Sequence, residues 1–292
     1  MQNWKQLTHS LTIQQATLNG WLFLFMQYNK DNPLKVFEAF AGYGSQSVAL
    51  ERLKRKHPGF DYKVVGISEI EMNAIAAYNA LHGHPTPPPN FGSITEIDWS
   101  HVPNFDLLTY SFPCTDISAS GLQKGFDENS GTRSSLLWQV RKAVVAKRPK
   151  FLLMENVKAL TQKKFMPLFN KWQQELEHYG YTNFYKVLNA TQFNVPQNRE
   201  RVFMVSILGT GQDYQFPQPI KLTKTIADVL EQDVGEQYFL KQHVVENYLE
   251  VTADTTHNHN LGLRSRSDIA FTIRAKAGGR VDDNYIAYVE EK

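Results

Sequence analysis

A rhythm that begins at residue 34 constrains this chain most: short runs rich in β-branched and aromatic residues alternate with longer amphipathic stretches. That alternation is the pattern of a parallel sheet joined by crossover helices. The expected strands are "KVFEAF" (35–40), "YKVVGIS" (62–68), "FDLLTY" (105–110), "FLLMEN" (151–156), "NFYKVLN" (183–189) and "RVFMVSIL" (201–208). Most are nearly all apolar, as strands covered on both faces should be. Helices are expected over 45–57, 71–81, 133–147 and 163–179. The fold class that follows is α/β, with a doubly wound, mostly parallel, Rossmann-like sheet.

Two segments break the rhythm. "HGHPTPPPNFG" (82–92) reads as a stiff, extended surface connection. After Gly209 the alternation fades, so the expected division is an N-terminal helical extension at 1–33, a main domain at 34–210 and a smaller lobe at 211–292. A length of 292 residues with 42% hydrophobic content is enough to bury a large core. The chain's one cysteine excludes an internal disulfide framework and a multi-cysteine zinc site, and it points to a reducing compartment. The apolar run Trp21 to Met26 is far shorter than the roughly 18 residues of a membrane span. Nor does "MQNWKQLTHS" have the basic start of a secretory leader, and the expected location is cytoplasmic. A net charge of +2 neither demands nor excludes a polyanionic partner. The basic clusters Arg52 to His57 and Lys142 to Lys150 fall at expected helix ends, where cations complement the helix dipole.

Ligands of such a sheet bind beyond the carboxyl ends of its strands. The first strand ends in "FAGYGSQS", where Gly42 and Gly44 allow a tight turn and close backbone approach at a helix N-terminus. Ser47 stands where a dinucleotide fingerprint has its third glycine, so a nucleoside pocket fits better than a pyrophosphate site. Glu69, after the second strand, is either a surface carboxylate or an acceptor for both ribose hydroxyls. Cys114, in "SFPCTDIS", sits behind a proline where the third strand gives way to a polar loop. A lone cysteine there is either an inert core residue or a nucleophile held at the mouth of the site. In "LLMENV", Glu155 and Asn156 follow an apolar run, and a carboxylate there is partly desolvated, as a general acid needs, unless it merely caps the next turn. "VPQNRERVF" carries Arg199 and Arg201, whose alternation would project both on one side of a strand to grip a phosphate or a carbonyl oxygen. An ordinary surface strand has the same pattern. The pairs His82/His84 and His257/His259 have no carboxylate or cysteine at ligand spacing, and no metal site is expected.

Taken in order, "FEAFAGYGSQS", "SEIE", "SFPCTDIS", "GTRSSLL", "MENV" and "QNRERVF" resemble the DNA cytosine-5 methyltransferases of bacterial restriction-modification systems and phages. The resemblance runs from residue 36 to 208 and implies a Rossmann-like methyltransferase fold that uses S-adenosylmethionine. It implies that Cys114 attacks C6 of a cytosine flipped out of double-stranded DNA, that Glu155 assists at N3, and that Arg201 and Arg199 hold the base oxygen and adjacent groups. By the same resemblance Asn156 supports the cysteine loop. The implied cofactor pocket comprises Phe40 on the adenine, Ala41, Gly42 and Gly44 near the methionine end, Glu69 on the ribose, and Ile70, Ser93, Ile94 and Pro113.

The chain departs from the family pattern at three places. Ser93 stands where an aspartate usually receives the adenine amino group, and a hydroxyl accepts that bond more weakly. Ile70 stands where an aromatic residue is common. Residues 211–292 resemble the start of a target-recognition region, without the returning segment that completes the cofactor pocket. That departure implies a fragment, or a split enzyme whose second chain supplies the segment. The resemblance also leaves room for a cognate restriction endonuclease as partner, for a noncatalytic remnant that only binds DNA or cofactor, and for a transfer-RNA methyltransferase on the same scaffold.

Overall fold

The computed structural model describes residues 27–82, 86–117, 124–128 and 130–231, with 235–236, 239, 241–243, 246, 263–273 and 285–286. Most of the expected N-terminal extension, together with His84, His257 and His259, lies outside the described residues. The chain divides into two units, Met1–Val187 with Arg201–Pro217, and Leu188–Glu200 with Gln218–Lys292.

All six expected strands form. They are β1 (Leu34–Ala39), β2 (Tyr62–Ser68), β3 (Leu107–Tyr110), β4 (Phe151–Val157), β5 (Tyr181–Asn189) and β6 (Glu200–Leu208), ordered β2-β1-β3-β4-β6-β5 in one sheet. The β1–β2, β1–β3 and β3–β4 pairs are parallel, and β4–β6 is antiparallel. Their connections include helices α1 (Ser45–Lys56), α2 (Met72–His82), α3 (Val140–Lys147) and α4 (Met166–His178). The β3 strand and most of β1 and β4 are buried, which is why their sequences read as apolar runs rather than alternations. Phe37 packs against Trp99 and Phe105 at centroid separations of 5.2 and 5.3 Å. Trp138 and Trp172 meet edge to face, and each buried indole N–H is satisfied: Trp138 donates to the Phe126 carbonyl and Trp172 to the Tyr110 hydroxyl.

One expected helix is split. Residues 133–147 form a 3₁₀ segment, Arg133–Gln139, followed by α3. The reason lies in its serines: Ser135 donates to the Thr132 carbonyl and Ser134 to the Pro113 carbonyl, side-chain bonds that compete with a regular α-helical start.

The second unit has its own backbone ties. The amides of Ile226 and Ala227 donate to the carbonyls of Asp268 and Arg266, and Asn198 and Ala270 form part of a bridge with Pro196 and Gln197. Among the described residues no helix is long and apolar enough to cross a membrane.

A titratable residue is buried in the first unit. Glu38 on β1 is fully buried, accepting hydrogen bonds from the Ser47 amide (3.1 Å), the Ser47 hydroxyl (2.8 Å) and the Tyr78 hydroxyl (2.6 Å). This cluster ties α1 and α2 to the carboxyl end of β1. Burial holds the Glu38 carboxyl above the usual carboxylate range, against the opposing pull of the Tyr78 and Ser47 hydrogen bonds. The folded protein therefore keeps a proton that the unfolded chain releases. Its stabilising contribution is complete below the ordinary glutamate pKa of about 4.3 and is lost as pH rises through the folded value. Tyr78→Phe removes a donor to this carboxylate and should destabilise by about 1–3 kcal/mol, the deficit growing as pH rises past the ordinary glutamate range. Urea midpoints measured from pH 4 to pH 8 check this; a deficit that shrinks with rising pH contradicts it.

Candidate active site

The parallel register gathers the strand ends on one line. Ala39 lies opposite both Ser68 and Tyr110, and Tyr110 lies opposite Met154. The residues that follow these four positions, beginning with Phe40, Glu69, Ser111 and Glu155, therefore leave the sheet along a common carboxyl edge.

The β1 exit is a left-handed turn. Phe40, Gly42 and Gly44 have φ of 57°, 57° and 79°, and Gly44 caps the N-terminus of α1. A Cβ on Gly44 would lie 2.6 Å from both the Tyr78 ring and His82 Nε2, whereas one on Gly42 would meet nothing within 4 Å. Only glycine meets both demands at Gly44, left-handed backbone and ring contact, while Gly42 leaves open space for a ligand. His82 Nε2 lies 3.1 Å from the Tyr43 carbonyl and its ring packs on Tyr78, which closes the turn from the α2 side.

Glu69 braces the same turn. Its Oε2 accepts from the Gly42 amide (2.8 Å), and its Oε1 accepts from the amides of Ile70 (2.7 Å) and Glu71 (2.9 Å). A carboxylate has about four acceptor positions, so these three bonds leave about one, enough for one hydroxyl rather than the two expected from sequence. Nearby, Asn90 accepts from the Glu69 and Gly92 amides, and Ser68 donates to the Gly92 carbonyl. Ile94 is buried and Ile70 is 58% exposed. Ser93 Oγ is 2.7 Å from Thr95 Oγ1, so this hydroxyl already shares a hydrogen bond.

At the β3 exit, Cys114 is half-buried and packs on the main core. The turn before it is tied to the neighbouring strand tip: Asn156 Nδ2 donates to the Phe112 carbonyl at 3.0 Å, while Asn156 Oδ1 accepts from the Val157 amide. After the cysteine, the Ile117 amide donates to the Cys114 carbonyl at 3.1 Å. Residues 118–123 lie outside the described residues.

On the far side of β4, antiparallel pairing sets Glu155 opposite Phe203 and Val157 opposite Arg201. Glu155 and Arg201 are thus diagonal neighbours on one face, within reach of long side chains. Arg201 Nε lies 3.0 Å from Glu155 Oε1, and the two side chains are 18% and 24% exposed. Arg199 precedes the strand, which begins at Glu200, and lies in the second unit, where its Nη1 donates to the Ile273 carbonyl at 3.4 Å. Sequence reasoning missed Glu38, whose signal was a glutamate inside an apolar strand. Tyr78 and His82, spaced one helical turn apart on α2, gave no comparable signal.

A family model described as C-5 cytosine-specific DNA methylase matches residues 34–285. The Type II methyltransferase M2.ScrFI of Lactococcus lactis subsp. cremoris is 40% identical over 264 residues, covering 73% of this chain and 72% of that protein. The orphan methyltransferase M.SssI of Spiroplasma monobiae is 34% identical over 280 residues, covering 76% of this chain and 71% of its own length. Among solved structures, S. pombe Dnmt2 methyltransferase superposes with a TM-score of 0.59 at 18% identity, covering 82% of this chain and 70% of its own. That likeness is one of fold.

The two glycines of the β1 turn should respond differently to a methyl group. Gly42→Ala incurs only the left-handed backbone penalty of about 1–2 kcal/mol. Gly44→Ala adds a collision with two rings and should lose visibly more in urea denaturation; equal losses for the two variants contradict the assigned packing.

Proposed function

Since the chain belongs to the C-5 cytosine-specific DNA methylase family, we propose that Cys114, Glu155 and Arg201 are the groups with which it methylates C5 of a cytosine flipped out of double-stranded DNA. The observation that carries this reading is the Asn156–Phe112 hydrogen bond, which ties the tip of β4, bearing Glu155, to the turn that bears Cys114. A thiol, a carboxyl and a guanidinium then share one end of three adjacent strands.

C6 of cytosine is a poor electrophile, so attack by the Cys114 thiolate needs the ring polarised. Glu155 supplies a hydrogen bond or proton at N3 as negative charge develops there. Arg201, bonded to Glu155 Oε1, fixes the carboxyl and would place its guanidinium charge near the base oxygen. Sulfur addition to C6 makes C5 nucleophilic; C5 takes the methyl group, then loses its proton as the carbon–sulfur bond breaks and the ring is restored. These atoms are out of reach in stacked duplex, and extruding the nucleotide costs a few kcal/mol.

Methyltransferases use S-adenosylmethionine, which supplies the electrophilic methyl group when bound. The turn at Phe40, Ala41, Gly42 and Gly44 fits such a nucleoside-bearing ligand: open space at Gly42 permits close backbone approach, and the α1 N-terminus follows. Glu69 would brace this turn and accept one ribose hydroxyl. Ile70, Ser93, Ile94 and Pro113 would complete the walls, with the Ser93 hydroxyl as the acceptor for the adenine amino group. The proposal extends to the partners: duplex DNA as substrate, and a cognate endonuclease of the kind that accompanies restriction-modification methyltransferases.

Tritium transfer from labelled cofactor to C5 of cytosine in duplex DNA tests the assignment. Cys114→Ser should abolish transfer, and Glu155→Gln should slow it by about 10²- to 10⁴-fold. Methylation that survives Cys114→Ser refutes the nucleophile.

A further inference from the structure

The cysteine turn is held from a second side by residues that have no part in the chemistry just described. Ser134, at the start of the 3₁₀ segment Arg133–Gln139, is fully buried, and Asp116 is 8% exposed. The Ser134 hydroxyl donates to the Pro113 carbonyl at 2.7 Å and accepts from the Asp116 amide at 3.2 Å. Reciprocally, the Ser134 amide donates to Asp116 Oδ2 at 3.2 Å, and Thr115 Oγ1 donates to the same oxygen at 3.1 Å. One hydroxyl therefore bonds the backbone on both sides of Cys114, at the carbonyl that precedes it and at an amide that follows it.

We propose that Ser134, oriented by Asp116, is the positioning residue that sets where the Cys114 sulfur stands. The inference rests on Cys114 being the nucleophile. Three features give it physical content. First, the carbonyl of Pro113 belongs to the peptide unit that carries the Cys114 amide, so fixing that oxygen fixes the plane from which the side chain projects. Second, the clamp is buried, so water does not replace a lost bond without rearrangement. Third, it opposes the Asn156 bond to the Phe112 carbonyl, and the turn is gripped from the 3₁₀ segment on one side and from β4 on the other. A nucleophile must be held within a fraction of an ångström, and a misplacement of about 1 Å can slow a reaction about 100-fold. Substrate and cofactor touch neither Ser134 nor Asp116 in this account, so loss of the clamp should affect the bond-forming step more than binding.

The experiment uses the full chain with a duplex containing its target cytosine, and a second duplex with 5-fluorocytosine at that position. Ser134→Ala should slow single-turnover methyl transfer and covalent trapping of the fluorinated duplex by the same factor, about 10- to 100-fold. The dissociation constant for DNA should stay within about twofold of the parent, and that for cofactor, whose pocket wall includes the clamped Pro113, should change by less than the rate does. Asp116→Ala should behave likewise, and Asp116→Asn, which keeps an acceptor oxygen for the Ser134 amide, should recover most of the rate lost. Thermal unfolding of each variant identifies any that fails to fold; if Ser134→Ala does, the Asp116→Ala and Asp116→Asn pair decides. Parental rates in Ser134→Ala or Asp116→Ala, losses confined to ligand affinity, or no recovery in Asp116→Asn overturn the proposal. Cys114→Ser, run in parallel, separates the two claims: trapping that persists in that variant removes the nucleophile assignment itself, whatever the clamp variants do.

Discussion

Strand β4 stands between β3 and β6, and the first unit's chemistry depends on that placement. Its parallel pairing with β3 ends at Met154, and its antiparallel pairing with β6 continues to Val157. The two registers leave Glu155 and Asn156 projecting past β3 while still paired to β6. A shift of one residue on either side would turn Glu155 to the opposite face, away from Arg201. The buried strand interiors, nearly all apolar in β3, make such slips expensive, and the core thereby enforces the geometry of three polar side chains.

Two turns leave this edge, and each is stabilised by side chains whose bonds are already committed within the protein. At the β1 exit, positive φ at Phe40, Gly42 and Gly44 is held by Glu69 from β2 and by His82 and Tyr78 from α2. At the β3 exit, Asn156 and Ser134 grip carbonyls on consecutive residues, Phe112 and Pro113. Both turns are thus preorganised by groups that need not move when ligands arrive, a condition that favours transition-state stabilisation over ground-state rearrangement. The buried Glu38 links the first of these turns to the core, since its partners Ser47 and Tyr78 belong to the helices that flank the glycines.

Much of this was legible in the sequence, for identifiable reasons. Strands covered on both faces announce themselves as apolar runs, and all six formed within two residues of their expected ends. The cysteine, the "MENV" strand tip and Arg201 could be read because each follows or opens such a run. Less visible was anything set by tertiary partners. Glu69 read as either a surface carboxylate or a ribose acceptor, because the most distant of its three backbone donors, the Gly42 amide, becomes a neighbour only when β1 and β2 pair, while the Ile70 and Glu71 amides are local. Arg199 was paired with Arg201 because the alternation continues through it, whereas it precedes the strand, which starts at Glu200, and bonds Ile273 in the second unit. Ser134 and Asp116 fall within "GTRSSLL" and "SFPCTDIS", but nothing local distinguishes a serine that bonds the cysteine turn from one that starts a helix. The interleaving of Leu188–Glu200 with Gln218–Lys292 was equally hidden, since it depends on contacts far apart in the chain.

Peptide mapping of the adduct formed with a 5-fluorocytosine duplex tests most directly whether sulfur, carboxyl and guanidinium converge on one extruded base. After complete proteolysis and mass spectrometry, the nucleotide should be attached to Cys114, with cofactor required for the adduct to survive denaturation. Attachment at any other residue, or a stable adduct that forms equally well without cofactor, would contradict the account.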